Sequence, residues 1–413
     1  MRLILNGLIR ILSVLPKLFL TFYLLKKWDL AEIGRYNLLN TNILILTLIV
    51  GLDFYNYSNR ELVKNKSTNR GTILIRQIVL YIIAYFLLIP PLYYFVLKYY
   101  LADNIIISFF IILICEHLSQ EIYRILNVLE FQIFASILLA LRNGLWICLL
   151  FIYVSFTNDS PLTIEILLKF WSGGSTVCLI ISVFILIKKI NIILPSFRIY
   201  DSLIFYRKAL KITSIYFFIT VIYKFLEYSG RYIIAYYFDP KILGVYSVFY
   251  QVSGLMSLLF DSTIITFLYP KLIKYFNDAE MNNINITVTN NVVNMLLLGF
   301  FEIIVCYSFR RNIYSFFNKP ELENFDMLLI LILTSNLVYS LSYIYHYALY
   351  AMQDDKGIFK TVFFSFLINF SSFLLIPLIG IYSVAIGSLF SYIALLFFKY
   401  YRYKKTFSNL TLD

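Results

Sequence analysis

Leu226-Glu227-Tyr228-Ser229-Gly230-Arg231-Tyr232-Ile233-Ile234 sets an acid and a base inside an apolar run long enough to cross a membrane. With Lys224 just upstream, the three charges recur at spacings of three and four. On a helix that spacing makes one stripe. A charge at the bilayer centre costs roughly 2.5 to 3.5 kcal/mol on insertion scales, so this stripe must face protein or water rather than lipid.

The chain around it has the same character. Of 413 residues, 61% are hydrophobic and 14% charged, with a mean hydropathy of +0.79, which excludes a soluble globular protein of this size. Apolar runs of helical length, without the short alternating segments of a β-barrel, predict a polytopic all-α membrane protein. Twelve spans are expected near 3–25, 37–57, 72–97, 105–127, 133–155, 164–187, 211–236, 246–269, 288–308, 327–350, 361–379 and 382–400. The first holds Arg10 and Lys17 and no small-residue cleavage site, so it reads as a span and not as a removed signal peptide.

A net charge of +12 could mean nucleic acid, but the basic residues lie in short connectors, where orientation bias alone puts them, so no nucleic-acid partner is expected. Both tails and the even connectors, counted with Arg76, Arg124, Lys211 and Lys399 at the span ends that border them, hold 21 Lys and Arg against 8 in the odd connectors, which sets both termini in the cytoplasm. Cys115, Cys148, Cys178 and Cys306 fall in four different spans with no CxxC spacing, indicating neither metal nor disulfide.

The chain also repeats itself. Trp28-Asp29-Leu30-Ala31-Glu32-Ile33-Gly34-Arg35-Tyr36 aligns without a gap on Phe238-Asp239-Pro240-Lys241-Ile242-Leu243-Gly244-Val245-Tyr246 at an offset of 210. Each copy follows the first span of a six-span half. Residues 1–190 and 211–413 are therefore expected as two six-helix lobes joined by a basic cytoplasmic linker, 191–210. An even number of spans per half implies a pseudo-twofold axis along the membrane normal, with a cleft between lobes. The offset maps Arg10 to Thr220, Val14 to Lys224, Lys17 to Glu227 and Thr21 to Arg231, so the first and seventh spans carry equivalent, mainly cationic faces. Arg10, Lys17, Lys224 and Arg231 are the candidate substrate-binding residues, and Glu227 and Asp261 the candidate charge-pairing or coupling groups.

Other polar residues in spans have simpler readings. Asp53 is expected to pair with Arg60, and Lys169 and Arg142 to reach the headgroups. Glu116 and His117, being adjacent, point about 100° apart and cannot form a dyad. His346 reads as a hydrogen-bonded packing residue. Ser172-Gly173-Gly174-Ser175 reads as a close helix contact or bend, since neither a Lys-Ser/Thr pair nor a strand accompanies it.

Gly34-Arg35-Tyr36 with Gly51-Leu52 and Arg60-Glu61, Arg231 leading into Gly244-Val245-Tyr246-Ser247, and Ala351-Met352-Gln353, Asn369 and Ile376-Pro377-Leu378-Ile379-Gly380-Ile381-Tyr382-Ser383-Val384-Ala385-Ile386-Gly387 stand in this order along most of the chain. In these the sequence resembles the multidrug, oligosaccharidyl-lipid and polysaccharide exporter superfamily, in particular its O-antigen (Wzx-type) flippase branch. It departs from that family at Gly230, where an acid often precedes the arginine, and at Ser383, where glycine is frequent.

The resemblance implies a non-enzymatic flippase of the bacterial inner membrane. By alternating access it would move an undecaprenyl-diphosphate-linked oligosaccharide, an O-antigen or similar repeat unit, with a polysaccharide polymerase and chain-length machinery as partners. Cationic side chains in a low-dielectric cleft suit a diphosphate. No cofactor is expected, and in the absence of a Walker A pattern any energy input would be a proton or sodium gradient, or product removal, and not ATP. The alternatives are a drug/cation antiporter of the same superfamily, which calls for unpaired acids in the cavity, and a membrane polysaccharide polymerase or glycosyltransferase, which calls for a larger outer loop than 309–326. The basic-residue bias makes topology testable. Reporter fusions after Arg198 and after Lys405 should both give cytoplasmic signals, and a periplasmic signal at either breaks the twelve-span topology.

Overall fold

The computed structural model describes residues 2–64, 67–94, 103–157, 162–190 and 199–412, and among these every regular element is a helix. In order they are α1 (Arg2–Lys27), α2 (Leu30–Gly51), the short α3 (Tyr55–Lys64), α4 (Ser67–Leu92), α5 (Asp103–Val128), α6 (Gln132–Phe156) and α7 (Ile164–Lys189). Then follow α8 (Ile199–Tyr237), α9 (Pro240–Asn277), α10 (Met281–Phe316), α11 (Asp326–Ala351), α12 (Asp355–Ile379) and α13 (Tyr382–Leu412). Each of the twelve expected spans overlaps one of these helices, the second running past α2 into α3 and the third ending at 95–97, outside the described residues. Ten described helices are long and apolar enough to cross a membrane, and α8, bent by 40° between Asp201–Ser214 and Tyr216–Tyr237, makes an eleventh. The protein is an all-α integral membrane protein.

Helices prevail because hydrocarbon offers no partner for a free backbone group. The connectors obey the same rule. Four helices end with a residue in the left-handed region, Glu130, Ala279, Asn318 and Gln353. In each case the next N–H donates back to the carbonyl five residues earlier, at 2.8 to 3.0 Å, as Phe131 does to Leu126 and Asp354 to Leu349. Asp354 then caps α12 by accepting from Gly357 N–H at 3.0 Å, while Arg402 and Thr406 from the end of α13 donate to the same carboxylate.

The chain divides into two compact units, Met1–Leu24 with Leu39–Val221 and Leu25–Leu38 with Ile222–Asp413. Of the expected linker, 191–198 lie outside the described residues, and 199–210 are the first three turns of α8. Two apolar cores are formed by described residues of unit 1. One gathers Leu62, Leu74, Leu126, Leu138 and Leu186 from α3 to α7; the other joins Val50, Phe54, Tyr81 and Tyr85 to Ala209 of α8. A Cβ at Gly174 would stand 2.4 Å from Trp146 Cβ, whereas one at Gly173 would meet nothing within 4 Å. The close contact expected at this Gly pair is thus made by Gly174, where α7 rides on α6.

In unit 2, α11 is buried on most sides and packs along α13 and α9. This unit also holds the repeat. Asp29 caps α2 by accepting from Glu32 N–H at 2.7 Å, and Pro240 opens α9 in the equivalent turn. The two copies touch through their glycines. A Cβ on Gly34 would lie 2.6 Å from Pro240 O, and one on Gly244 only 1.8 Å from Leu30 O. Leu30 and Pro240 are themselves repeat partners, so the contact is reciprocal, as a local twofold requires.

Backbone this close tolerates no side chain, and overpacking costs about 1 to 3 kcal/mol. Gly244→Ala should therefore lower the melting temperature of the purified protein clearly, and Gly34→Ala somewhat less. Gly173→Ala, facing open space, should leave it unchanged. Equal melting of Gly244→Ala and Gly173→Ala would contradict the close crossing.

Candidate functional site

The charged stripe on α8 keeps its helical register, but its members have different surroundings. Lys224 Nζ stands 2.7 Å from Glu227 Oε2, with the side chains 38% and 23% exposed, and also lies over the Tyr228 ring. Arg231, two turns further, is only 6% exposed, with its guanidinium 4.6 Å from the centre of the Tyr250 ring and 5.2 Å from that of Tyr228. A residue behaves differently once its neighbours are aromatic faces. The cation is then held by ring quadrupoles and packing.

Lys224 and Glu227 line a cavity of about 260 Å³ together with Ser257, Phe260 and Asp261 of α9, Met295 of α10, and Tyr339, Ser340, Tyr343 and Tyr347 of α11. Asp261 opens a π-helical turn, Asp261–Ile265, in mid-helix, and Thr266 Oγ1 donates to the Asp261 carbonyl at 2.6 Å. The extra residue in such a turn breaks the helical register, a device frequent at functional sites. The acid expected in the middle of the eighth span thus reaches the wall that carries the Lys224–Glu227 pair. Two carboxylates and one ammonium share this cavity.

Behind the Tyr343 ring lies Lys399 of α13, fully buried, donating to Ser342 Oγ at 3.2 Å and placed over the Tyr223 and Tyr343 rings. His346 Nδ1 meets Tyr223 OH at 3.2 Å, the packing role expected of it. Gly230, directly before Arg231, has no room for the acid whose absence the sequence showed: its Cβ would lie 2.7 Å from Val384 Cγ1 and 2.8 Å from Tyr246 OH.

In unit 1, Lys17 lies on α1 within electrostatic reach of Glu116 and Arg142, while the side chain of Arg10 lies outside the described residues. Arg142 does not extend toward headgroups as expected. A second π-helical turn, Leu141–Leu145, carries it, and its Nε lies 3.4 Å from Glu116 Oε2. Lys169, its side chain 61% exposed, lies 2.8 Å from Glu165. Glu116 and His117 diverge as their adjacency requires, Glu116 to Arg142 and Trp171, His117 to Tyr85 OH at 2.7 Å.

The pairing of Asp53 with Arg60 is corrected: Asp53 is buried at a left-handed turn after Gly51 and accepts from Thr220 Oγ1 at 2.7 Å. The carboxylate turns back toward α8, while Arg60 sits exposed on α3. Sequence reasoning also missed Glu121. It is buried and accepts from Tyr81 OH at 2.7 Å and Gln77 at 2.9 Å, with Arg124 at 2.5 Å. Its spacing of four from His117 was the available signal.

These helices, their order and their bends can be compared with those of known proteins. No family model matches the sequence, and no curated protein does. Among solved structures, an inward-facing multidrug resistance MATE family transporter of the MOP superfamily superposes with a TM-score of 0.73 at 12% identity, over 99% of each chain. The lipid II flippase MurJ in an inward closed conformation gives 0.74 at 16% identity, over 99% of this chain and 89% of that one. The MATE transporter VcmN of Vibrio cholerae in its bent form gives 0.63 at 13% identity, over 98% and 96%. The chain has the fold that these proteins share.

The two bases on α8 should separate experimentally. Arg231→Ala removes a packed cation from its aromatic site and should cost about 2 kcal/mol or more, with Arg231→Lys losing less. Lys224→Gln, on a partly open wall, should stay within about 0.5 kcal/mol of the parent. Thermal melting of the purified variants checks this, and equal losses would refute the difference in setting.

Proposed function

We propose that the protein is a flippase that carries an undecaprenyl-diphosphate-linked oligosaccharide, an O-antigen or similar repeat unit, across the bacterial inner membrane by alternating access between two six-helix lobes. Both termini would be cytoplasmic. The observation that supports it is the Lys224–Glu227 pair on the wall of a polar cavity at membrane depth. Among the described residues the ammonium is paired with one carboxylate, Glu227, for which a phosphate oxygen can substitute. A headgroup anion cannot enter hydrocarbon unaided, and a cation that changes partners would shelter its charge during crossing. Glu227, released from Lys224, and Asp261, which lines the same cavity, would then be free to take up a proton or a sodium ion, which is where coupling to a gradient would act.

A second reading has its own support. Glu227 and Asp261 outnumber Lys224 on this wall, and a cavity with an uncompensated carboxylate favours a cationic substrate, as a drug/cation antiporter would carry. Deletion in the native host separates the two. A flippase is expected to leave lipid-linked repeat units on the cytoplasmic face and to abolish surface polysaccharide, with Lys224→Gln unable to restore it. Unchanged polymer in a strain without a second flippase, together with drug sensitivity restored to normal by the wild-type gene and not by Asp261→Asn, would establish the antiporter instead.

A further inference from the structure

The part of α8 that precedes its bend, Asp201–Ser214, suits neither water nor hydrocarbon. Tyr216–Tyr237 is long enough alone to cross a hydrocarbon layer of roughly 30 Å, so the first part emerges from the membrane. One of its faces is held by unit 1. Tyr206 OH donates to the Arg76 carbonyl at 2.8 Å, Arg76 Nε donates to Ser202 Oγ at 3.1 Å, and the Phe205 ring packs edge-on against Phe54 and Tyr57. Ser202, Ala209 and Thr213 are buried on that side.

The opposite face is mixed. Leu203, Ile204 and Leu210 are 62%, 53% and 40% exposed, and Arg207, Lys208 and Lys211 are exposed among them. At about 100° per residue the order around the helix is Leu210, Leu203, Arg207, Lys211, Ile204, Lys208, so apolar and basic side chains interleave, with Asp201 at the edge. Among the described residues none of the three bases has an ion-pair partner. Water would leave the aliphatic side chains unburied, and hydrocarbon would leave the cations unsolvated. The headgroup layer satisfies both, because stems and aliphatic groups sink toward the acyl chains while the charged ends reach phosphate. The short α3, whose Tyr57 touches Phe205, repeats the combination with exposed Arg60, Val63 and Lys64.

We infer that the first part of α8 is an interfacial anchor seated in the headgroup layer, where Arg207, Lys208 and Lys211 take the phosphates of anionic phospholipids of the surrounding bilayer. The occupant is a lipid surface and not a protein, because the core of a protein interface is poor in lysine, whereas a headgroup layer accepts lysine and leucine on one face. The anchor does not depend on what the protein carries. The same helix continues to Lys224 and Glu227, so the lipids at its start act on the element that bears the charges of the cavity wall.

In phosphatidylcholine nanodiscs, added phosphatidylglycerol should raise the melting temperature of the purified protein. The triple variant Arg207→Gln, Lys208→Gln, Lys211→Gln should lose most of that rise while melting like wild type in phosphatidylcholine alone. Each single substitution should lose roughly a third of it, since bases near an anionic surface contribute similar amounts. If the triple variant is already unstable in phosphatidylcholine, the single variants decide. Depth is read separately with Ile204→Trp. Its fluorescence, above the background of Trp28, Trp146 and Trp171, should be quenched by lipids brominated close to the headgroup and not by aqueous iodide. Quenching by iodide as efficient as for free tryptophan would put the face in water, and quenching by deeply brominated lipid alone would put it in hydrocarbon. Protection from every quencher would mean that a second copy or another segment covers it. Each of these three results overturns the anchor. A full rise in melting temperature in the triple variant, or no rise in wild type, overturns the grip on anionic lipid.

Discussion

Hydrocarbon cannot solvate a charge, and the arrangement of both units follows from that single constraint. Each base at membrane depth needs a partner that water supplies elsewhere, and the protein uses three kinds. Lys224 and Arg142 lean on carboxylates, Arg231 lies against tyrosine rings, and Lys399 donates to the hydroxyl of Ser342 beneath two more rings. The partner decides what the charge can do afterwards. A carboxylate pair at a cavity wall is exchangeable, because another anion can take the cation. An aromatic site is not exchangeable in that sense, because rings and packing hold the cation without offering it to a ligand.

This distinction explains how far the sequence could be read. The twelve spans were legible because a run of apolar residues as long as the hydrocarbon is thick has few other uses. The repeat was legible as nine aligned residues, and its geometry confirms the importance of Gly34 and Gly244, although nothing in the letters says that they meet each other. The helical stripe Lys224, Glu227 and Arg231 was correct as a face. Seven residues of helix rise about 10 Å, however, and over that distance the wall changes from a cavity to a tyrosine cluster. Periodicity specifies which way a side chain points and is silent on what stands opposite.

The misses have the same origin. Lys399 sits near the end of the last apolar run, where the basic-residue census assigns it to the cytoplasmic tail, yet α13 continues beyond it and α11 covers it. Glu121 lies on the face of α5 that carries His117, and its hydrogen-bond partners Gln77 and Tyr81 are on α4, some forty residues away in sequence. Asp53 looked local because Arg60 is near in sequence, but its actual partner, Thr220, is 167 residues off. A polar group in a membrane protein is satisfied by whatever helix packs against it, and helix neighbours are the part of the fold that one sequence does not disclose.

Two π-helical turns in the interior of described helices carry this argument furthest. Leu141–Leu145 and Asp261–Ile265 each interrupt a long apolar helix, one within each unit, and each carries an ionisable side chain near its start, Arg142 and Asp261. Neither turn contains proline, so no residue marks it in the sequence. The regular α-helix is the cheaper way to satisfy the backbone in hydrocarbon, and a widened turn gives up some of its hydrogen-bond geometry. The return is directional. The extra residue displaces one side chain from the face its register assigns while the helix on either side keeps its packing. A charge can thereby be brought to a polar wall without rotating the apolar surface that holds the helix among its neighbours. In both units an ionisable side chain is set by a local departure from helical periodicity, the one signal on which the reading of the sequence depended.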